Sequence, residues 1–139
     1  MRTTSVAAII VLLVGCIAAV AFGGEREDAA VKAAETWLAL VDAGEFDESW
    51  KEAAVYFRSA VKKDDWVASL GAVRSPLGKT VSRTLKGATF ATELPGAPDG
   101  EYVVIQFETA FSNKSSAVET ITPMKDEDGR WRVSGYFIR

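Results

Sequence analysis

Glutamate, arginine and tyrosine are the residues of this sequence that could carry chemistry. Glu119 has Ala117 and Ile121 two positions to either side, so on a strand it shares a face with apolar neighbours. Arg83, between Val81 and Leu85, has the same character. Tyr56, Tyr102 and Tyr136 are the three phenols of the chain. A carboxylate base beside a phenol donor in an apolar pocket can move a proton next to a carbonyl, the work of an isomerase or dehydratase. The structural alternative is that Arg83 and Glu119 pair with each other or with surface partners, or face solvent, since structural ion pairs produce the same pattern. Arg83, Tyr102, Glu119 and Tyr136 are therefore the candidate ligand-binding residues, and no catalytic residue is assigned.

Other chemistries are excluded by composition. The 139 residues contain no His and a single Cys, Cys16. Thiol–His and Ser–His pairs are therefore absent, and no motif points to a Ser–Lys pair. Borderline and soft metals lack their preferred ligands. Asp126-Glu127-Asp128-Gly129 is reminiscent of part of a calcium loop but lacks the remaining ligand positions. Asp-Gly is instead what a tight hairpin needs. No cofactor or metal is expected. The net charge of −3 gives no general attraction to nucleic acid, and no basic stripe suits an anionic lipid surface.

Cys16 lies in the first twenty-three residues, MRTTSVAAIIVLLVGCIAAVAFG, where Arg2 precedes a long uncharged run. This is an export signal or membrane anchor, and it places the protein in the periplasm or cell envelope. Ala19-Val20-Ala21 fits cleavage before Phe22. Leu13-Val14-Gly15-Cys16 resembles the lipobox of bacterial lipoproteins, with Cys16 as the lipidated residue. An uncut leader helix is close to the ~20 residues of a membrane span. The three readings stand side by side. Contact with a membrane is expected only through the leader or Cys16.

The elements that must position the candidates follow from periodicity. Residues 25–139 are expected to form one α+β domain. Three helices come first. Glu25 to Ala43 repeats Ala30, Ala34, Trp37, Leu38 and Val41 at helical spacing and ends at Gly44. A second helix, capped by Asp47 or by a Ser49/Glu52 capping box, carries the stripe Trp50, Ala53, Ala54, Phe57 and Val61. A short third, capped by Asp64 or Asp65, carries Trp66, Leu70 and Val73 and stops at Pro76 and Gly78.

The period then changes to two. Strands are expected over Thr80–Leu94, with a bulge or break at Gly87, then Tyr102–Phe111, Ser116–Met124 and Trp131–Ile138. On the second, Val103, Ile105, Phe107 and Phe111 share a face; on the last, Trp131, Val133 and Phe137 do. The four Trp are expected in the core. The helices should cover a curved antiparallel sheet of four strands or five. The opposite face, with Tyr102, Val104 and Gln106 beside Ser134, Tyr136 and Ile138, is uncharged at its centre and suits a protein interface such as a homodimer's.

The order of elements and AETWLALVDAGEFDESW (Ala34–Trp50) resemble the nuclear-transport-factor-2-like superfamily. Val73–Ala88, Leu94–Phe107, Phe111–Thr122 and Asp128–Arg139 carry a closer resemblance, to the bacterial family catalogued as domain of unknown function 4019. The superfamily resemblance implies a sheet wrapped round helices into a cone with a pocket. It covers enzymes, steroid isomerases among them, as well as non-catalytic binding modules, so fold does not settle function.

The expected function is therefore a non-catalytic, exported module that binds a small ligand or an envelope protein partner. The alternatives are a carboxylate–tyrosine enzyme in the cone pocket and an assembly protein acting through the outer sheet face.

Overall fold

The computed structural model describes residues 24–139. The expected leader, with its candidate cleavage site and Cys16, lies outside the described residues. Helix α1 (Glu25–Asp42) opens with Glu25, Glu27 and Asp28, whose charges suit a helix N-terminus. Glu27 also accepts a hydrogen bond from the Gly24 N–H. The helix ends at Gly44, φ +76°. There Gly44 N–H donates to Val41 and Glu45 N–H to Leu40, the paired bonds of a Schellman motif.

The expected second helix is two: α2 (Phe46–Lys51) and α3 (Val55–Ala60). The cause is a competition for one carbonyl. Ser49 C=O, which a continuous helix would offer to Ala53 N–H, accepts the Trp37 indole N–H at 2.8 Å. Ala53 N–H turns to Trp50, and Ala54, extended, donates to Val133 of the last strand. Ser49 is thus no cap. It is buried inside α2, its hydroxyl donating to Phe46 and accepting from the Trp66 indole. Helix α4 (Lys63–Arg74) has Lys62 as its N-cap, with Asp64 and Asp65 in its first turn, and runs into a 3-10 turn at Ser75–Leu77. Four helices therefore replace the expected three.

Strands β1 (Thr80–Ala91), β2 (Tyr102–Phe111), β3 (Lys114–Lys125) and β4 (Trp131–Ile138) form an open antiparallel sheet in sequence order. Among the described residues there is no fifth strand. β1 stops at Ala91, short of the expected Leu94. Its register slips twice, between Thr80 and Ser82 and between Leu85 and Gly87, the second where a bulge was expected. Helix α1 packs against all four strands. The core is Ala34, Trp37, Leu38 and Val41 of α1 against Val103, Ile105, Phe107, Ile121 and Val133, with Trp66 and Trp131 packed on its margin. No helix among the described residues is long and apolar enough to cross a membrane.

One register shift corrects the sequence reading of β4. Pro123 pairs with Val133 but Thr122 pairs with Gly135, so Ser134 is an extra residue. A bulge of one residue reverses the side-chain alternation beyond it. Tyr136 therefore joins Val133 on the helix-covered face, opposite Ile121, and Phe137 turns outward, 50 % exposed. The expected face shared by Tyr102 and Tyr136 does not form.

This assignment has a direct consequence. Tyr136→Ala should cost about 3–5 kcal/mol, as large core truncations do. Phe137→Ala should stay within about 0.5 kcal/mol, as exposed changes do. Urea-unfolding midpoints of the two variants check this, and the reverse order would restore the unbulged register.

Candidate functional site

The buried polar cluster begins with an unusual placement: Glu119, on β3, is 0 % exposed. Its neighbours across the sheet face satisfy it. Oε1 accepts from Arg83 Nε at 2.7 Å and from Thr109 Oγ1 at 2.5 Å. Oε2 accepts from the Tyr136 hydroxyl. The Arg83 guanidinium turns its other edge to Asp42, the last residue of α1, donating from Nη1 at 2.8 Å and from Nη2 at 3.0 Å. Such a forked pair is both strong and directional. Asp42 also accepts from Thr80 Oγ1 at 2.9 Å and from Arg74 Nη2 at 3.0 Å. Two guanidiniums thus balance two carboxylates, and every strand together with α1 and α4 contributes a member.

Backbone irregularity places these groups. Thr80 and Arg83 are three apart and would face opposite sides of a regular strand. The shift at Val81, itself 68 % exposed, brings both to Asp42. The Ser134 bulge does the same for Tyr136. Arg74 is only 6 % exposed, and its Nε and Nη1 have no hydrogen-bond partner among the described residues. Its guanidinium lies 4.9 Å from the centre of the Phe111 ring, a cation–π contact.

Burial opposes ionisation of Asp42, but the hydrogen bonds and charge of Arg83, with Thr80 and Arg74, outweigh it and hold the carboxyl below its ordinary range. Burial, followed by the negative charge of Glu119, pushes the Tyr136 phenol well above its ordinary range. Burial works against the Arg83 charge, yet its bonds to Asp42 and Glu119 prevail and raise its pKa further.

Three of the four candidates meet here: Arg83, Glu119 and Tyr136. Tyr102 does not. It is buried under the turn at 95–100, its hydroxyl donating to Pro98 C=O at 2.5 Å. Thr109, seven residues along the strand, is about 23 Å away at strand rise. Tyr56, on α3, donates to Gly96 C=O instead. Asp42, Arg74, Thr80 and Thr109 were missed by sequence reasoning. Asp42 continues the spacing Ala34, Leu38, and Arg74 continues Trp66, Leu70, so a charge at the end of an apolar stripe was the available signal. Val73, read as part of that stripe, is 49 % exposed.

The Asp126–Gly129 segment is a turn, as expected, with Gly129 at φ +81°. Its carboxylates are taken by one guanidinium. Arg132 Nη1 donates to Asp126 at 2.9 Å, and both its terminal nitrogens donate to Asp128. Those bonds draw the Asp128 pKa down to about 2.

An open groove of about 370 Å³ lies beside this turn, between α1 and the start of β4. Ala29, Ala33 and Leu40 line it from the helix, Trp131 and Val133 from the strand, and Trp37 shares both walls and core. Neither Glu119 nor Tyr136 lines it.

Arranged in this way, Glu119 has no oxygen free for a substrate. A general base must come within ~2.6–3.2 Å of the proton that it takes, and both oxygens already hold protein donors. The chemistry that the cluster supports is charge pairing that locks the sheet to its helices.

A family model described as Protein of unknown function (DUF4019) matches residues 33–136, and the chain belongs to that family. The match runs from α1 to β4 and includes every member of the cluster. Comparison with curated proteins finds no match.

Glu119→Leu should cost about 3–5 kcal/mol, because it leaves Arg83 with a buried, unmatched edge and strands two hydroxyls. Urea unfolding measures this, and a loss below about 1 kcal/mol would contradict it. The pH profile tests the same contacts. Asp42 has a depressed pKa in the fold, so its contribution is present above its unfolded value and fades as pH falls below about 4. Tyr136 has a raised pKa, so its contribution holds below about pH 10 and fades above it, where the unfolded chain alone releases the proton. Tyr136→Phe should flatten the alkaline limb and Asp42→Asn the acid limb.

Proposed function

We propose that the chain is an exported, non-catalytic binding module whose ligand site is the groove between α1 and β4. One observation carries this: Glu119, with no exposure and both oxygens occupied, has the place a catalytic carboxylate would need and none of the freedom. The isomerase-like alternative required a carboxylate beside a tyrosine in an open pocket. Glu119 and Tyr136 are indeed bonded to each other, but that bond closes the site. In this reading the fold is a nuclear-transport-factor-2-like cone whose interior α1 and the charged cluster have filled. Binding then falls to the margin, where the groove has the apolar walls and few polar groups of a ligand site. The leader supports export to the periplasm or envelope.

The test is a thermal-shift screen of the exported protein against cell-envelope metabolites. A true ligand at ~100 times its Kd should raise Tm by about 10 °C. Thr36, exposed on the groove wall, can be enlarged without disturbing the core. Thr36→Trp should abolish the shift, and Phe137→Ala should keep it. Hits indifferent to Thr36→Trp would sink the groove. Turnover of any compound, lost in a folded Glu119→Gln variant, would sink the non-catalytic claim.

A further inference from the structure

We propose that α4 is a lid: pinned at both ends and latched by Arg74 on Asp42, it opens while α1 and the sheet stay folded. No residue of α4 lines the α1–β4 groove, so the lid stands apart from the ligand site.

The ends of the segment are held more firmly than its body. Before α4, the Val61 carbonyl accepts the Trp50 indole N–H at 2.8 Å, and Lys62 is extended. After it, the Leu77 carbonyl accepts from Asn113 N–H at 2.9 Å, and Gly78 turns the chain at φ +76°. Within the helix only Leu70 and Arg74 are buried. α4 rests on α2 and on the 3-10 turn that follows it, and on no strand to the same extent. α1 differs: six of its residues are buried, and it lies against all four strands. A segment with few buried contacts opens at low free energy.

Space along the seam points the same way. Val67 of α4 lines a cleft of about 380 Å³ with Phe46 and Lys51 of α2. Arg74 lines a second, of about 220 Å³, with Val41, Asp42 and Phe46. A seam packed like a protein interior would leave no such room.

Two ties close the lid. Trp66, partly buried, donates its indole N–H to Ser49 Oγ at 3.0 Å and packs on Trp37. Arg74 is the latch: Nη2 donates to Asp42 Oδ1 and to Thr80 Oγ1, each at 3.0 Å. Its Nε and Nη1 are buried without a hydrogen-bond partner among the described residues. Unmet donors on a buried charge raise the free energy of the closed state, and opening returns them to water. α2 stays behind when α4 leaves, because Trp37 holds the Ser49 carbonyl and Ala54 N–H donates to Val133. Asp42 keeps its bonds to Arg83 and Thr80. The Asp42 end of the charged cluster thus becomes reachable with the core intact.

Native-state hydrogen exchange of the exported protein, read by mass spectrometry, tests this. A detached helix of twelve residues does not hold its own hydrogen bonds in water, so opening exposes the α4 amides. They should exchange at least about 100-fold faster than the slowest amides of β2 and β3. Val103 lies eight residues along β2 from Phe111, the ring beside Arg74, which is ~26 Å at strand rise. Val103→Ala should therefore speed the slowest β2 and β3 amides about tenfold and leave α4 unchanged. Arg74→Met leaves two carboxylates to one guanidinium and should speed α4 about tenfold. Arg74→Lys, a milder change that keeps the charge and loses the fork, should move α4 in the same direction.

Exchange of α4 as slow as that of β2 and β3, or its acceleration by Val103→Ala, would overturn the lid, because α4 would then open only with the whole fold. Fast exchange of α4 that neither Arg74 variant changes would overturn the latch.

Discussion

Everything in this fold is arranged around one guanidinium that touches two carboxylates. Arg83 reaches Glu119 with Nε and Asp42 with both terminal nitrogens. A carboxylate with no exposure is costly unless it is paired and hydrogen-bonded. Glu119 meets that condition only if β1, β2 and β4 stand in one particular register, because Arg83, Thr109 and Tyr136 come one from each. A slip of one residue in any strand would turn its donor to the opposite face. An apolar residue in place of Glu119 would tolerate such a slip far better. The cluster thus acts as a register key: its net stabilisation is modest beside the cost of assembling it wrongly.

The key also joins the two layers. Asp42 ends α1, where the helix dipole disfavours a negative charge. Two guanidiniums and a threonine hydroxyl reverse that disadvantage. Because Arg74 ends α4 and Thr80 begins β1, the same carboxylate fixes the chain where helices give way to sheet. The bulge at Val81 is therefore a working part of the fold, since a regular strand could bring only one of Thr80 and Arg83 to Asp42.

Much of this was legible in the sequence, for a physical reason. Alternation along β2 and β4 gave their limits correctly, because long half-buried strands print a period of two on the chain. Glu119 and Arg83 stood out as charges between apolar neighbours, and their mutual pairing was one of the readings open to them. Asp42 and Arg74 carried the same signal at helical spacing, but a charge in a last turn also reads as solvated surface. The Ser134 bulge has one local mark, Gly135 inside the strand, the same kind of signal as Gly87 in β1; reading β4 as unbroken alternation instead exchanges the faces of Tyr136 and Phe137. The break between α2 and α3 depends on Trp37, twelve residues from Ser49, competing for a carbonyl. No window of local sequence contains that contact.

Trp37 is where the structural core and the groove meet. Its ring stands edge-on to Tyr136 at 5.3 Å and tilted against Trp66 at 6.1 Å, while its N–H is held by Ser49. A side chain fixed on three sides has little rotamer freedom left to lose when a ligand arrives. The α1 helix behind it is pinned at its far end by Asp42 and along its length by all four strands. The groove floor is therefore formed in advance, and the charged cluster at the end of α1 holds the helix that forms it. The wall between α1 and β4 is thus as stiff as the core behind it, because Trp37 belongs to both.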